Sequence, residues 1–411
     1  LLGRRAGLSG VLSVGRVQTP TLQLIVQRDR EITAFVAVPY WTIVVRLTTE
    51  RQTFSAFWVA PKEATDEAGR CLNDVLAQTA ADRLRRTGLA QIKSVDTQRI
   101  AEQPPLPFDL STLQQECSKR LGLDVKETLD LAQALYERHK ATTYPRTDCR
   151  YLPESMLAEV PAVLEALLAS DPALPPLINT IDRTRRSRAW DDAKLGAHHG
   201  IIPTTEPTAL SRMSERERAV YQLIRAHYLA QFLSPHEYDR TVAQLTCGTE
   251  TLEAHGKRTR IIGWRSVVEA TEASDGDADD SRSQVLPALR PGTTCALAGV
   301  EVKALKTRAP KPYTQGELIQ AMKGVARFVR DPRLKQTLKD TSGLGTEATR
   351  AGIIQGLIRR GYLIQKGRAL RASQSAFTLI DAVPPAIADP GTTAIWEQAL
   401  ERIAAEDLSL E

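Results

Sequence analysis

Strand-like segments on both sides of a long helical block are the feature that restricts the possible folds most strongly. Runs rich in β-branched and aromatic residues predict strands at 40–45, 53–59, 90–98, 239–246 and 258–265. Between the third and the fourth run, residues from about 110 to 233 follow helical periodicity. This layout predicts a mixed α and β, multidomain protein in which a helical domain is inserted into a β-rich one.

Two helices are predicted at the start of the helical block. Ser111 and Gln114 have the spacing of a capping box, which places the beginning of the first helix at Ser111. Asp124 and Glu127 repeat that spacing and open a second helix. The pair is typical of a helix-turn-helix, a common DNA-binding shape that does not by itself establish DNA binding.

Helices are also predicted in the flanking parts of the chain. Residues 1–34 predict a loop followed by a helix that begins near Pro20. Residues 313–363 return to helix, with Thr346 as an N-cap and Gly361 at a helix end. The remaining predictions are a hairpin at 362–371, a short amphipathic helix at 395–403 and a mobile acidic loop at 270–284.

The charge of the chain does not by itself identify a ligand. The net charge of +5 and the isoelectric point near 8.9 are a mild basic excess. Arginines cluster locally, and each cluster is compatible with solvated surface or with phosphate contact: Arg4, Arg5 and Arg16; Arg183, Arg185, Arg186 and Arg188; Arg359, Arg360, Arg368 and Arg371.

Several protein classes are disfavoured by the sequence. The five cysteines form no C-x-x-C pair, which argues against a zinc ribbon, and they suit reduced thiols in a cytoplasm. No apolar run is long enough to cross a bilayer, and no secretory signal opens the chain. Because the chain begins at Leu1 without a methionine, we expect it to be a fragment of a longer protein.

The segment with the clearest chemistry is TTYPRTDCRYLP at residues 142–153. Pro145 restricts the conformation of Tyr144, and Arg146 can place a guanidinium near a phosphate that the phenol attacks. A phenol is a weak nucleophile because its pKa is about 10, and a fixed cation favours the phenolate and stabilises charge on phosphoryl oxygens. Spacing alone, however, favours a packed ring beside a surface charge.

This segment resembles the active-site signature of type IA DNA topoisomerases of the topoisomerase III kind. Four further segments resemble motifs of the same family, in the same order, and the resemblance covers essentially the whole chain. They are LSVGRVQTPTL at 12–22, AHHGIIPT at 197–204, YTQGELI at 313–319 and GLGTEATRA at 343–351.

The resemblance implies an activity. Tyr144 would attack a backbone phosphate of single-stranded DNA, forming a 5′-phosphotyrosine link and freeing a 3′-hydroxyl without ATP. Strand passage and the reverse attack would then decatenate DNA and relax negative supercoils. Arg146 would hold the scissile phosphate, and His198 would orient or protonate groups near it. The residues implied to contact DNA are Ser13, Val14, Gly15, Arg16, Val17, Gln18, Lys194, Thr349 and Arg350.

The resemblance also implies a torus of discontinuous domains. Residues 1–34 and 306–411 would form a helical DNA-binding domain, and residues 35–103 and 234–305 a β-rich strap. Residues 104–233 would form the helical domain that carries Tyr144 and swings to open a gate.

The family's amino-terminal TOPRIM domain, which holds Mg²⁺, is not found in this chain. We therefore expect no metal site here, and we expect the isolated chain to bind single-stranded DNA but cleave it poorly. The D-x-D-x-D string at 275–279 lies in the acidic loop and lacks the glycine of a calcium loop, so we expect it to face solvent. The resemblance further implies a cytoplasmic, nucleoid-associated protein with no membrane partner, working with a RecQ-like helicase and a single-stranded DNA-binding protein.

Other functions remain open from the residues alone. One is a non-catalytic fragment that binds single-stranded DNA, for which Tyr144 is dispensable. Another is a helix-turn-helix regulator built on residues 110–140, which would prefer a duplex sequence. A tyrosine recombinase needs an H-x-x-R box before its tyrosine, but His139 is followed by Lys140, Ala141 and Thr142.

Overall fold

The chain folds into two compact units, each drawn from separate stretches of sequence. The computed structural model describes residues 14–49, 52–268, 282–328 and 343–408. One unit contains Leu1–Phe35, Pro105–Leu233 and Pro310–Glu411, and the other contains Val36–Pro104 and Ser234–Ala309. The segments on either side of the helical block therefore belong to one unit, as do the three helical stretches. The finer division into DNA-binding and tyrosine-bearing domains stays a prediction.

The described helices and strands confirm a mixed α and β protein. The helices are α1 (Gln18–Ala34), α2 (Asp74–Thr87), α3 (Leu110–Arg120), α4 (Val125–Glu137), α5 (Val160–Ser170), α6 (Pro175–Ile178), α7 (Glu215–Leu229), α8 (Arg265–Val268), α9 (Gln315–Lys323), α10 (Glu347–Arg359), α11 (Gln374–Ala382), α12 (Pro385–Ala388) and α13 (Pro390–Ala404). The strands are β1 (Pro39–Thr48), β2 (Thr53–Trp58), β3 (Leu89–Glu102), β4 (His236–Cys247), β5 (Glu250–Ile261), β6 (Thr294–Lys306), β7 (Leu363–Lys366) and β8 (Ala369–Ala372). Short 3-10 turns cover Lys62–Ala64, Glu154–Glu159, Asp192–Lys194, Leu210–Arg212, Ala230–Phe232 and Val325–Phe328.

Six antiparallel strands of the second unit close into a barrel in the order β1-β2-β5-β4-β3-β6. Ile43, Val45 and Leu47 alternate along β1 and are fully buried, as expected for a strand with one face toward a core. Helix α2 buries an alanine-rich face in the same core, where Ala77, Ala80 and Leu84 have no exposed surface. The predicted run at 258–265 was wrong in extent, because β5 ends at Ile261 and the chain turns at Gly263, whose φ is +55°.

The helical unit has its own core around α1, α9 and α10. Leu22 and Val26 of α1, Leu318 of α9 and Ile354 of α10 are all fully buried in one apolar cluster. Helix α9 approaches α3 closely at Gly316, where an added Cβ would lie 2.8 Å from the Cβ of Ser118. Helix α10, the hairpin β7–β8 and helix α13 confirm the predictions made for residues 346–361, 362–371 and 395–403. Residues 329–342 of the predicted helical stretch 313–363 lie outside the described residues.

The N-cap of the first helix of the block lies two residues before Ser111, the N-cap that the capping-box spacing predicted. The N-cap is Asp109, whose carboxylate accepts a hydrogen bond of 2.7 Å from the backbone N–H of Thr112. Ser111 is a buried residue inside the first turn and bonds to the carboxylate of Glu347. Asp124 does stand at the N-cap of α4, but its side chain makes no capping bond and accepts from Gln315 instead.

Some predicted features lie outside the described residues. These are Arg4, Arg5 and Ser13, and most of the acidic loop with its string of aspartates at 275–279. All five cysteines lie in the described part, where they are free thiols in buried positions. No described helix combines the length and the apolarity that crossing a membrane requires.

Candidate active site

Two loops of the helical unit pair with each other and bring the tyrosine segment against the histidine segment. The N–H of Thr143 donates to the carbonyl of Ile202 at 2.9 Å, and the N–H of Ile202 donates to the Thr143 hydroxyl at 3.0 Å. One residue further out, Thr142 and Pro203 form an antiparallel bridge. Residues that are far apart in sequence therefore share one short ladder of hydrogen bonds.

The same two loops rest on the chain that leads into α3. Leu110 N–H donates to the carbonyl of Thr147 at 3.0 Å, and Ile201 N–H donates to the carbonyl of Phe108 at 2.8 Å. The partly buried guanidinium of Arg150 donates to the carbonyls of Pro107 at 2.9 Å and Leu106 at 3.1 Å, and its burial lowers its pKa. The backbone around Tyr144 is thus fixed from three sides.

This pairing stacks the ring of Tyr144 beside the ring of His198. The ring centroids are 4.6 Å apart with an interplanar angle of 30°, and Tyr136 meets Tyr144 edge-on at 5.7 Å. Tyr144 is half-buried and borders an open pocket of about 210 Å³. The phenol is therefore not enclosed in the apolar interior. Full burial would have excluded Tyr144 as a nucleophile, because no DNA strand could reach it.

Arg146 projects from the same loop as Tyr144 and is exposed. In the part of the chain that the structure describes, its guanidinium makes no hydrogen bond and no ion pair. A guanidinium that is not neutralised by a carboxylate is free to bind an anion, and its geometry matches two phosphate oxygens.

His199 and Lys194 lie at the edge of this site. His199 uses Nδ1 to donate to the carbonyl of Gly200 at 2.8 Å, which fixes its ring. Lys194 is exposed and pairs with Asp191 at 2.9 Å, with its ammonium 4.9 Å from the centre of the Tyr151 ring. The hydrogen bond to Asp191 raises the pKa of Lys194, so this predicted DNA contact remains charged.

The predicted DNA strip before α1 is described from Val14 onward. Val14 and Arg16 are exposed, and the strip enters the helix through Gly15, whose N–H donates to the Thr19 hydroxyl at 3.0 Å. Val17 is half-buried and packs on the helical core. Gln18 accepts a bond of 2.6 Å from Arg360, so a member of the 359–371 arginine cluster lies directly beside the strip.

Thr349 and Arg350 differ sharply from each other. Thr349 is exposed in the first turn of α10, and its hydroxyl accepts from the N–H of Thr346 at 3.0 Å, which confirms the cap predicted there. Arg350 is 1% exposed and donates to Glu347 at 2.6 Å and to Ser111 at 2.9 Å. The expectation that Arg350 contacts phosphate is corrected, because its charge is buried and already paired with a carboxylate.

Sequence reasoning missed the ion network around that arginine. Lys323 of α9 lies 2.5 Å from Asp109 and 3.6 Å from Glu347, and Ser111 bonds to Glu347. The network therefore joins the N-cap of α3, which supports the tyrosine loop, to α9 and α10. No sequence motif pointed to Lys323, because its two carboxylate partners, Asp109 and Glu347, are distant from it in sequence.

No cluster of three potential metal ligands occurs within the residues that the structure describes.

Comparison with known families places this site in context. A family model described as DNA topoisomerase matches residues 2–411. The chain is 38% identical to DNA topoisomerase 3 of Pasteurella multocida (strain Pm70), an alignment that covers 100% of this chain and 65% of the relative. It is 40% identical to DNA topoisomerase 3 of Salmonella typhimurium, covering 98% and 62%. For DNA topoisomerase 3 of Bacillus subtilis (strain 168), the identity is 36% and the coverage is 97% and 54%.

Among solved structures, full-length topoisomerase I from Thermotoga maritima is similar to this chain. The TM-score is 0.71 at 22% identity, and the match covers 97% of this chain and 61% of that one. At this identity the likeness concerns the fold. The chain spans less than two thirds of the length of each of these relatives.

Proposed function

The chain belongs to the DNA topoisomerase family, in the type IA class, and on that premise we propose that Tyr144 is the residue that cuts and rejoins single-stranded DNA. The observation that carries the proposal is the placement of Tyr144. The ring of Tyr144 lines an open pocket, and its centre lies 4.6 Å from the centre of the His198 ring. Arg146, on the same loop, is exposed and has no carboxylate partner among the described residues.

The covalent step exchanges one phosphate ester for another. The phenol oxygen of Tyr144 gives up its proton and attacks phosphorus, the bond from phosphorus to the 3′-oxygen breaks, and that oxygen takes up a proton and leaves as a hydroxyl. The product is a 5′-phosphotyrosine. Because one ester replaces another, the free energy of the bond is retained, and the 3′-hydroxyl can reverse the attack without ATP.

Arg146 and His198 have separate parts in this proposal. Arg146 holds the scissile phosphate and offsets the negative charge that grows on its oxygens during attack. His198 is exposed beside the tyrosine ring, where an imidazole can orient the phosphate or pass a proton to and from the reacting oxygens.

The rest of the predicted enzyme extends this proposal. We propose that Mg²⁺ is held by an acidic TOPRIM domain in the complete enzyme. We also expect the isolated chain to bind DNA but to cleave it poorly. Apart from Arg350, the residues predicted to contact DNA remain proposed contacts: Ser13, Val14, Gly15, Arg16, Val17, Gln18, Lys194 and Thr349. We likewise propose a toroidal fold with a swinging gate and a decatenating activity. The proposal also includes a nucleoid location, a helicase partner and a single-stranded DNA-binding protein partner.

A covalent-adduct assay tests the function. The chain, with and without the amino-terminal region of a relative supplied, is mixed with a labelled single-stranded oligonucleotide and denatured in detergent. We expect an adduct in the supplemented reaction that Tyr144→Phe abolishes while DNA binding persists. Tyr136→Phe is the matched control, because its ring contacts Tyr144 edge-on but is not the proposed nucleophile. An adduct that survives Tyr144→Phe would refute the assignment, and binding without any adduct would favour the non-catalytic alternative.

A further inference from the structure

The pocket beside Tyr144 has a lining that suits a nucleobase better than a phosphate. It is formed by Tyr144, Pro153, Leu195, Gly196, Ala197, His198 and His199. None of these residues is a lysine, arginine, aspartate or glutamate, so no formal charge of an acidic or strongly basic side chain faces the cavity. Aromatic rings and aliphatic groups make up most of the wall, and such surfaces stack against the flat faces of heterocycles.

The size of the pocket supports the same class of ligand. Its volume is about 210 Å³. Pockets for drug-sized molecules run from about 300 to 1,000 Å³, so this one suits a single smaller group. One heterocyclic base fits that description, whereas a base pair does not.

The pocket is held open by bonds between the segments that form it. Cys149 Sγ donates to the carbonyl of Lys194 at 3.5 Å, and Glu154 N–H donates to the carboxylate of Asp192 at 2.9 Å. Leu152 N–H donates to the carbonyl of Ala189 at 2.8 Å. These bonds tie the segment after Tyr144 to the segment before His198, so the cavity exists before a ligand arrives and little ordering is needed on binding.

We propose that this pocket receives the base of the nucleotide whose 5′-phosphate becomes linked to Tyr144; the inference rests on the proposed covalent function. Every lining residue lies between Tyr144 and His199, so the pocket belongs to the same loops as the nucleophile. A base seated there keeps the attached end of the strand aligned for resealing. Because the walls stack rather than read hydrogen-bonding edges, all four bases should be accepted.

Photocrosslinking on the 411-residue chain tests the inference. The probe is a single-stranded oligonucleotide in which thymines are replaced by 5-iodouracil, which crosslinks to nearby aromatic side chains. We expect crosslinks at Tyr144 and His198. Ala197→Phe, at an exposed position in the lining, should lower their yield about tenfold, because the larger side chain occupies the space in which one base would stack. Ala193→Phe is the matched control, because Ala193 is exposed but lies outside the lining.

A competitor that lacks bases gives a second measurement on the unmodified chain. An abasic oligonucleotide of equal length carries the same phosphates, so we expect it to displace crosslinks elsewhere but to compete poorly for those at Tyr144 and His198. Absence of crosslinks at these two residues while the probe binds, or equal yields in the Ala197→Phe variant, would overturn the inference. The adduct assay in the supplemented reaction separates the two proposals. An adduct there without pocket crosslinks removes this inference alone, whereas pocket crosslinks with no adduct there remove the covalent function on which the inference rests.

Discussion

The ammonium of Lys323 lies 2.5 Å from the carboxylate of Asp109, and this pair joins the end of α9 to the N-cap of α3. The position matters for the site because the residues on either side of Asp109 support both active-site loops. Phe108 accepts from Ile201, and Leu110 donates to Thr147. An ion pair away from the nucleophile thereby helps to fix the backbone on which the nucleophile is presented.

Replacement of Asp109 should destabilise the helical unit. Asp109→Ala removes both the capping bond to Thr112 and the partner of Lys323, and we expect a loss of about 1–3 kcal/mol in the free energy of unfolding. Lys323→Met is the comparison, because it removes the partly exposed cation but leaves the cap, and it should cost less. Urea denaturation of both variants measures the difference. Equal losses would show that the cap contributes nothing measurable.

Gly316 should be needed for close packing of α9 on α3. In Gly316→Ala the new methyl carbon would lie 2.8 Å from Ser118 Cβ and 3.1 Å from Gln115 Cα, so the helices must move apart. We expect a cost of about 1–3 kcal/mol in thermal or urea unfolding. Gly352→Ala in α10 is the matched control, because no atom lies within 4 Å of its added Cβ. That control should gain up to about 1 kcal/mol from helix propensity, and a similar loss in both variants would contradict the packing argument.

The sequence predicted a strand or a helix cap correctly where neighbouring residues determine it, and it failed where residues distant in sequence determine the structure. Four of the predicted strands and the N-cap positions of Thr346 and Asp124 were local patterns, and the structure confirms their positions, although the side chain of Asp124 makes no capping bond. Strand β6 went unnoticed, because nearly all of its residues are at least partly exposed and it lacks a strong apolar alternation. Arg350 was misassigned because its burial depends on packing against α3, where it donates to Ser111, and nothing in the local sequence of α10 indicates that contact. Its carboxylate partner, Glu347, is local, but helix position alone suggested phosphate binding.

Protonation of His227 should make the folded state less stable in mild acid. The ring stacks on Phe108 at 3.9 Å, and burial lowers the pKa of His227 to about 3 from its ordinary value of 6.5. Between these values the unfolded chain binds a proton that the folded chain does not. The contribution to stability is therefore complete above pH 6.5 and is lost progressively down to about pH 3.

At pH 5 this loss should amount to about 2 kcal/mol, at 1.36 kcal/mol per pH unit. Urea unfolding at pH 7 and pH 5 measures it, with His227→Gln as the control that cannot titrate. Other groups titrate alike in both proteins, so the wild type should lose more stability between the two pH values. Parallel losses would mean that His227 is accessible to protons in the folded state.

Two arginines from the sequence motifs should respond in opposite ways to substitution. Arg350 is buried against Glu347, and Arg350→Met leaves that carboxylate with less compensation, so we expect a loss of about 3–5 kcal/mol of stability. Arg146 is exposed and has no ion-pair partner in the described structure. Arg146→Ala should therefore unfold like the wild type within about 0.5 kcal/mol.

Substitution of Arg146 should weaken DNA binding although it leaves stability unchanged, because the Arg146 guanidinium has no carboxylate partner in the described structure and can bind a phosphate. We expect Arg146→Ala to weaken binding of a single-stranded oligonucleotide by about tenfold, the equivalent of one charge-assisted contact, and Arg146→Lys to restore only part of it because the bidentate fork is lost. Fluorescence anisotropy at two salt concentrations measures both affinity and its salt slope, which should become shallower in the alanine variant. Unchanged affinity and slope in Arg146→Ala would remove this guanidinium from the DNA contact and leave Tyr144 without the cation that the proposed chemistry requires.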